Sequence, residues 1–317
     1  MRLAIASRDQ RHALAPPTSS MELADQLKAV LLERVGIRAD ITSAKIQARL
    51  DTIPEHERRD WVQHLVNSPA QSETWQNFVE TFLIHETYFF RHEHQLEFLQ
   101  SSVLPTLIQE RIASGRHEIR IWCAACSSGE EAYTAALLLR ECIYNSAAAK
   151  RLTWRLSVVG TDLSAEVLAK ARKGEYCVNT GLNSFRDVPA FARHHFPEIF
   201  HAGEKTWHPD SWLRQTVSFQ QRNLISDPAP VLDADLVLCR NVLIYLDDKS
   251  SQQAVQTMRN ALRPGGVLIL GPADMLKTPG DLELLTNSRA MFWRKSSTTR
   301  ADQSAQSPTN RSGSQKA

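Results

Sequence analysis

Residues 118–142 read EIRIWCAACSSGEEAYTAALLLREC. An apolar run of strand length ends in residues without bulky side chains, Ala124 to Gly129, and a longer stretch with apolar residues at helical spacing follows. Strand, small-residue turn and helix, in that order, make the first half of a βαβ unit. The alternation continues outward through RLSVVGTDL (155–163) and SAEVLAKARKGEY (164–176), then TVSFQQRNL (216–224), ADLVLCRNVLIYL (234–246), SQQAVQTMRNALR (251–263), a P-G-G turn, VLILG (267–271) and a last strand at MFWRK (291–295). Apolar strands interleaved with amphipathic helices predict an α/β fold, a parallel sheet covered on both faces.

Upstream the periodicity differs. MELADQLKAVLLERVG (21–36), ITSAKIQARL (41–50), RRDWVQHLV (58–66) and SETWQNFVETFLI (72–84) repeat apolar residues every three or four positions, which predicts a helical domain. HQLEFLQSSVLPTLIQERIAS (94–114) is a further helical stretch with Pro105 inside it. The expected division is a disordered leader over 1–20, a helical domain with its linker helix over 21–100, the α/β domain over 101–295 and a disordered tail over 296–317. The leader also suits an upstream start codon, with ordered sequence beginning at Met21. A polar, aromatic-rich stretch near 176–214 interrupts the alternation.

The bulk chemistry narrows the function. With 37 basic and 35 acidic residues, the net charge of +2 gives no field for nucleic acid or a membrane surface. No apolar run is long enough for a signal peptide or a membrane span, and the expectation is a cytoplasmic protein. Five cysteines, an odd number, then argue for reduced thiols.

Two readings of C-A-A-C (123–126) stand. The spacing suits zinc or a redox pair, yet Cys142, Cys177 and Cys239 stand alone and supply no second close pair, so no metal is expected and small buried residues are favoured. Ser127 and Ser128, each three residues before Glu130 or Glu131, form a doubled capping-box pattern. The run 124–129 lies at the carboxyl end of the first strand, where open parallel sheets bind ligands. It is not G-x-G-x-x-G, and its acids suit a ligand with hydroxyls or positive charge; the bland alternative is that both glutamates complement the helix dipole. Asp162 ends the second strand, where a carboxylate accepts from ribose hydroxyls, or it caps the next helix. Turn and aspartate together point to an adenosine ligand without phosphates, S-adenosylmethionine foremost. Arg240 and Asn241 interrupt an apolar strand at the same edge, with Tyr245 beyond. Arg240 pairs structurally or serves the ligand; Tyr245 packs or hydrogen-bonds. Tyr88, Phe89 and Phe90 pack in a core or anchor Arg91.

HETYFFR (85–91), WCAACSSGEEAYT (122–134), VVGTDLS (158–164), VSFQQRNL (217–224), LCRNVLIYLD (238–247) and LRPGGVLILG (262–271) together resemble, in order, the CheR-type chemotaxis receptor glutamate methyltransferases. The resemblance covers about residues 75–295. It implies a class I, Rossmann-like S-adenosylmethionine-dependent methyltransferase domain, a small helical N-terminal domain and an inserted antiparallel subdomain over about 176–216. It further implies cofactor contacts at Thr87, Arg91, Glu131, Asp162, Asn223, Leu224 and Asn241, with Arg91 and Tyr245 nearest the reacting groups; Arg240 joins the expected cofactor contacts by its own place beside Asn241. The implied substrate is glutamate side chains on the cytoplasmic domains of chemoreceptors; a monomer is expected. Two departures stand out. His85 occupies a position where the family often has Asn, and the helical domain offers only Lys45, Arg49, Arg58 and Arg59 where relatives carry a denser basic helix for docking receptors. The alternatives are a class I methyltransferase of another substrate and a catalytically inactive module that binds cofactor or receptor.

Overall fold

The computed structural model describes residues 19–177, 188–193, 195, 198–201, 204–286 and 291–297; nearly all of the expected leader and tail, and part of the expected insertion, lie outside them. The chain forms two compact units, one built from helices up to Arg34 and over Ala39–Phe82, the other from Val35–Arg38 and from Leu83 onward.

The first unit holds α1 (Ser20–Val35), α2 (Ala39–Asp51), α3 (Glu55–Asn67) and α4 (Glu73–Glu80). A capping box starts α1: Ser19 Oγ accepts from Glu22 N and Glu22 Oε2 accepts from Ser19 N. The apolar positions spaced along these helices, Leu27, Leu31, Ile46, Leu50, Val62, Leu65 and Trp75 among them, are buried. Arg34 donates to the Val66 and Ser68 carbonyls and lies 4.7 Å over the Trp75 ring, so one cation satisfies the end of α3 and covers an aromatic.

The second unit begins with α5 (Glu93–Phe98) and α6 (Leu104–Ala113), joined by a π-helical turn over Leu99–Val103. Pro105 lies in the first turn of α6, where its missing N–H and its ring bulk are accommodated by the widened turn behind it. Then come β1 (Glu118–Ala124), α7 (Glu130–Asn145), β2 (Arg155–Asp162), α8 (Ala165–Lys173), β3 (Tyr176–Cys177), α9 (Ala190–Arg193), β4 (Glu198–His201), β5 (Glu204–Trp207), α10 (Ser211–Thr216), β6 (Val217–Gln221), β7 (Ala234–Cys239), α11 (Asp248–Ala261), β8 (Leu262–Leu270), β9 (Leu282–Thr286) and β10 (Met291–Lys295). Between α8 and α10, β3, β5 and β4 pair antiparallel as a separate small sheet.

The main sheet has strand order β6-β2-β1-β7-β8-β10-β9, parallel from β6 to β8, with β10 antiparallel to both neighbours. Its two faces are read from alternate residues. Ile121, Cys123, Leu236 and Leu238 belong to one core cluster with Ala132, Ala136 and Leu139 of α7. Trp122, Ala124, Val237 and Cys239 belong to the other, with Ala254, Val255 and Met258 of α11. Helices thus cover both faces, and every residue of β7 is buried. Burying each of its leucines contributes about 1.5–3 kcal/mol.

The charge inside that strand is fully paired. Asp235 accepts from Arg111 Nε (2.7 Å) and Nη2 (2.9 Å), from Arg263 Nε (2.6 Å) and from Arg120 N (3.0 Å), which locks α6, β1 and β8 to the base of β7. One expectation is corrected and one strand is new. The P-G-G turn is a bulge inside β8, because the pairing shifts from Ala234↔Leu262 to Leu236↔Val267 and Gly265 takes φ +77°. The edge strand β9, LELLT, was not anticipated.

Candidate cofactor and methyl-transfer site

The strand order reverses between β1 and β7: the chain runs from β1 to β2 to β6 on one side, then from β7 to β8 on the other. A crevice opens outside the carboxyl ends of strands at such a point. Pairing Ala124↔Thr161 and Cys239↔Leu270 brings the next residues, Ala125, Asp162, Arg240 and Gly271, to one edge.

Among the described residues, six non-glycine residues have positive φ, and five of them, Phe90, His92, Ala125, Ser127 and Asn241, lie at this edge or in the segment packed on it. A left-handed L-residue costs about 1–2 kcal/mol, so such a concentration marks a site where geometry outranks local comfort. The turn after β1 alternates: Ala125 (φ 58°), Ser127 (φ 49°) and Gly129 (φ 97°) are left-handed. This corrects the capping reading. Gly129 is the N-cap of α7 without a side-chain bond, and Ser128 Oγ instead donates to Glu130 Oε2. The turn is held elsewhere, with Cys126 N donating to Thr161 O and Ser127 N to Asp162 Oδ2. Gly160 makes room for it, since a Cβ there would lie 2.8 Å from Cys126 Sγ and from the Phe219 ring.

Cys123 and Cys126 are buried, and burial pushes both thiols well above the ordinary value, with Glu131 and Asp162 adding to the effect. They are packing residues. Among the described residues no cluster of His, Cys, Asp and Glu could hold a metal ion.

Asp162 is 8 % exposed and bridges two turns, accepting from Ser127 N (2.9 Å) and Ser164 N (3.0 Å). The cap of α8 is Ser164, whose hydroxyl accepts from Val167 N. Glu131, in the first turn of α7, accepts from Arg240 Nη1 at 3.2 Å through Oε2, while its buried Oε1 has no donor among the described residues. Burial raises Glu131 above its ordinary value and lowers Arg240, each opposed by the other's charge. A guanidinium starts so high that Arg240 keeps its proton regardless.

Arg240 is held on every side. It donates from Nε to Gln95 Oε1 (3.1 Å), from Nη1 to Glu131 and from Nη2 to the Arg91 carbonyl, and Gln95 in turn donates to Leu270 O at 2.8 Å. Asn241 N donates to Asp274 Oδ2 (2.6 Å), and His92 Nε2 lies 2.9 Å from Asn241 Oδ1. Asp274 also accepts from Gly271 N (2.9 Å) and Ile244 N (3.2 Å), so one carboxylate fixes the loop carrying Asn241 and Tyr245; burial raises its pKa and those N–H donors oppose the rise. A Cβ on Gly271 would lie 2.5 Å from Asn241 N, and only glycine fits.

The segment before α5 lies against this cluster. Ser127 Oγ donates to the His85 carbonyl at 3.1 Å, and Phe90 N donates to Thr134 Oγ1 at 3.2 Å. Phe89 and Phe90 are buried, Phe89 5.0 Å from the Tyr176 ring. Arg91 donates to the Glu86 carbonyl, lies 3.6 Å from Glu86 Oε2 and sits 5.7 Å from the Tyr88 ring centre. Its guanidinium takes its hydrogen bond and ion pair from its own segment, its charge also acts on Glu131 and Arg240, and its side chain stays 20 % exposed.

The structure thus links Arg91, Glu131, Arg240 and Asn241 in one network. Asp162 joins through the Ser127 turn, and Tyr245 stands four residues past Asn241 in a short 3₁₀ turn, Leu243–Tyr245. Thr87 is half-buried in the same segment as Arg91. Asn223 and Leu224 follow β6 but bond locally: Asn223 Oδ1 accepts from Ile225 N, its N donates to Asp227, and Leu224 packs on the α11-side core. Sequence reasoning missed Gln95, His92 and Asp274. Gln95 carried a signal, a polar residue at the buried spacing of a helix; the other two carried none.

S-adenosylmethionine fits this donor set. Its ammonium and ribose hydroxyls are donors, and the edge offers an undonated buried oxygen on Glu131 and the Asp162 carboxylate beside a turn without bulky side chains. The site's carboxylates, Glu131, Asp162 and Asp274, exceed its guanidiniums, Arg91 and Arg240, which suits a cationic ligand.

Comparison with known proteins agrees. Residues 85–291 match the family model described as CheR methyltransferase, SAM binding domain. The chain is 32 % identical to Chemotaxis protein methyltransferase 1 of Pseudomonas aeruginosa, over 68 % of this chain and 76 % of that one. It is 34 % identical to Chemotaxis protein methyltransferase 2 of Vibrio cholerae, over 65 % and 68 %. A protein of Pseudomonas aeruginosa called probable biofilm formation methyltransferase WspC is 29 % identical over 79 % of this chain and 56 % of its own length. Family model, strand order and donor set converge: this chain is an S-adenosylmethionine-dependent methyltransferase and belongs to the CheR family.

Proposed function

We propose that the chain transfers the methyl group of S-adenosylmethionine to glutamate side chains on the cytoplasmic domains of chemoreceptors, giving glutamate methyl esters. The carrying observation is a partly exposed Arg91, a guanidinium suited to an acceptor carboxylate, at the edge of this network. The histidine next to it, His92, is engaged with the Asn241 side chain. A glutamate, with an ordinary pKa of about 4.3, arrives ionised at neutral pH, so no proton has to be removed. What remains is positioning, for which well-oriented intramolecular reactions gain up to about 7–11 kcal/mol.

The cofactor supplies an electrophilic methyl on a sulfonium. Glu131, with a free buried oxygen, takes the ammonium; Asp162 takes the ribose; Asn241 holds the methionine end. Thr87, Asn223, Leu224 and Arg240 complete the proposed contacts, Arg240 through the carboxylate it orients. Arg91 grips and turns the acceptor carboxylate with its planar fork. Tyr245, whose hydroxyl has no partner among the described residues, donates to substrate or cofactor. Each transfer removes one negative charge from a receptor helix and so resets its electrostatics. The match to a relative named for biofilm formation supports, as a second reading, a pathway other than flagellar taxis. Action on nucleic acid has no broad basic surface to support it, given a net charge of +2.

The test is incubation with methyl-labelled S-adenosylmethionine and receptor cytoplasmic domains. Base-labile label that disappears with receptor Glu→Ala changes is expected. Cofactor binding with no transfer to any receptor would leave only a binding module.

A further inference from the structure

The roles above leave one contact unused: the side-chain bond between His92 and Asn241. Both residues are left-handed, with φ of 63° and 61°, and His92 is the residue directly before α5. His92 Nε2 lies 2.9 Å from Asn241 Oδ1, and an amide oxygen only accepts, so in this amide orientation the bond requires the Nε2–H tautomer. The Asn241 N–H is taken by Asp274, while its Nδ2 has no partner among the described residues. An asparagine amide has two nearly isosteric orientations. An Nε2–H imidazole on one side selects the orientation that points Oδ1 at it.

We infer that His92 is a positioning residue for the cofactor: by holding Asn241 Oδ1 it fixes the amide so that both Nδ2 hydrogens remain available to the carboxylate of the cofactor's methionine end. The proposal rests on Asn241 being a cofactor contact. Supporting it, burial lowers the His92 pKa, the nearby Arg240 and Arg91 lower it further, and the bond to Asn241 and the charge of Glu86 oppose them. The net shift favours the neutral ring, which adds no third cation beside the two arginines. The same bond couples the segment carrying Arg91 to the loop carrying Tyr245, two parts that the chain separates by about 150 residues.

S-adenosylhomocysteine titrated calorimetrically into the full-length chain tests this without any acceptor. His92→Asn keeps a residue that tolerates the left-handed backbone but is too short to reach Asn241. It should weaken binding about 3- to 10-fold, as loss of one hydrogen bond does. His92→Gln places an uncharged N–H at similar reach and should bind within about twofold of wild type. Asn241→Ala should weaken binding by itself, and His92→Asn should then cost nothing further, because His92 acts through Asn241. The proposal is overturned by wild-type affinity in His92→Asn, by an equal loss from His92→Asn in both backgrounds, or by a loss above about tenfold in a folded His92→Gln. Any of these leaves the methyltransferase reading intact. Absence of binding by the wild type would overturn both.

Discussion

Glu131→Gln separates the ligand role of that carboxylate from its structural one. In the wild type Oε2 accepts from Arg240 and the buried Oε1 accepts from nothing among the described residues. The amide keeps its oxygen on Arg240, because the alternative sets an N–H against a guanidinium. Nε2 then occupies the position of Oε1, and a free buried acceptor becomes a donor. A cofactor ammonium meeting it loses a charge-assisted hydrogen bond worth about 1.5–3 kcal/mol and gains a donor–donor clash. The expected loss of about 2–4 kcal/mol is about 30- to 1,000-fold in the dissociation constant for S-adenosylhomocysteine. Folding should change less. Arg240, whose side chain is 4 % exposed, loses its charged partner but keeps Gln95 and the Arg91 carbonyl, and the cost of desolvating Glu131 disappears. The pH dependence has a definite sign. Because burial raises Glu131 in the fold, its contribution to stability is present below its ordinary value and lost as pH rises through the raised one; the Gln variant shows no such loss. Calorimetric titration reads the affinity and thermal unfolding from acid to neutral pH reads the rest. An affinity within about threefold of wild type would refute the assignment of the orphan oxygen.

Arg91→Ala should abolish transfer while moving the thermal midpoint little, since its ion pair to a largely exposed Glu86 contributes about 0–1 kcal/mol; measurable turnover would remove Arg91 from the reaction. Gln95→Leu leaves the Leu270 carbonyl and Arg240 Nε unpaired in the interior and should cost about 2–4 kcal/mol in denaturant unfolding, with weaker S-adenosylhomocysteine binding alongside. Thiol alkylation at mildly alkaline pH should label the exposed Cys177 first; burial pushes Cys142 up to about 12, and Cys123, Cys126 and Cys239 are buried with raised pKa. Early modification of Cys123 or Cys126, read by peptide mapping, would reopen the redox reading of C-A-A-C.

The α/β alternation was legible because its strands are buried on both faces and read as unbroken apolar runs, as in VVG and LVLC. The site's place was legible for a related reason: polar residues directly after such runs, Asp162, Arg240 and Asn241, have nowhere to be but the sheet edge. Other features left no trace. Ala125 and Ser127 have no intrinsic left-handed preference, so the turn's backbone is imposed by its bonds to Thr161 and Asp162. The two serines looked like caps because S-x-x-E is a capping pattern, yet Gly129 at φ 97° takes that role. Asp274 and His92 look like surface residues in one dimension and meet Asn241 only through the fold. β9 escaped notice because only its first residue is buried, and LELLT shows no strict alternation.

The most direct test of the cofactor site is a crystal structure of the chain with S-adenosylhomocysteine bound. Its ammonium within hydrogen-bond distance of Glu131 Oε1 and its ribose on Asp162, at the gap between β1 and β7, is the predicted result. A ligand seated elsewhere, or one that leaves Glu131 Oε1 without a donor, would contradict the account.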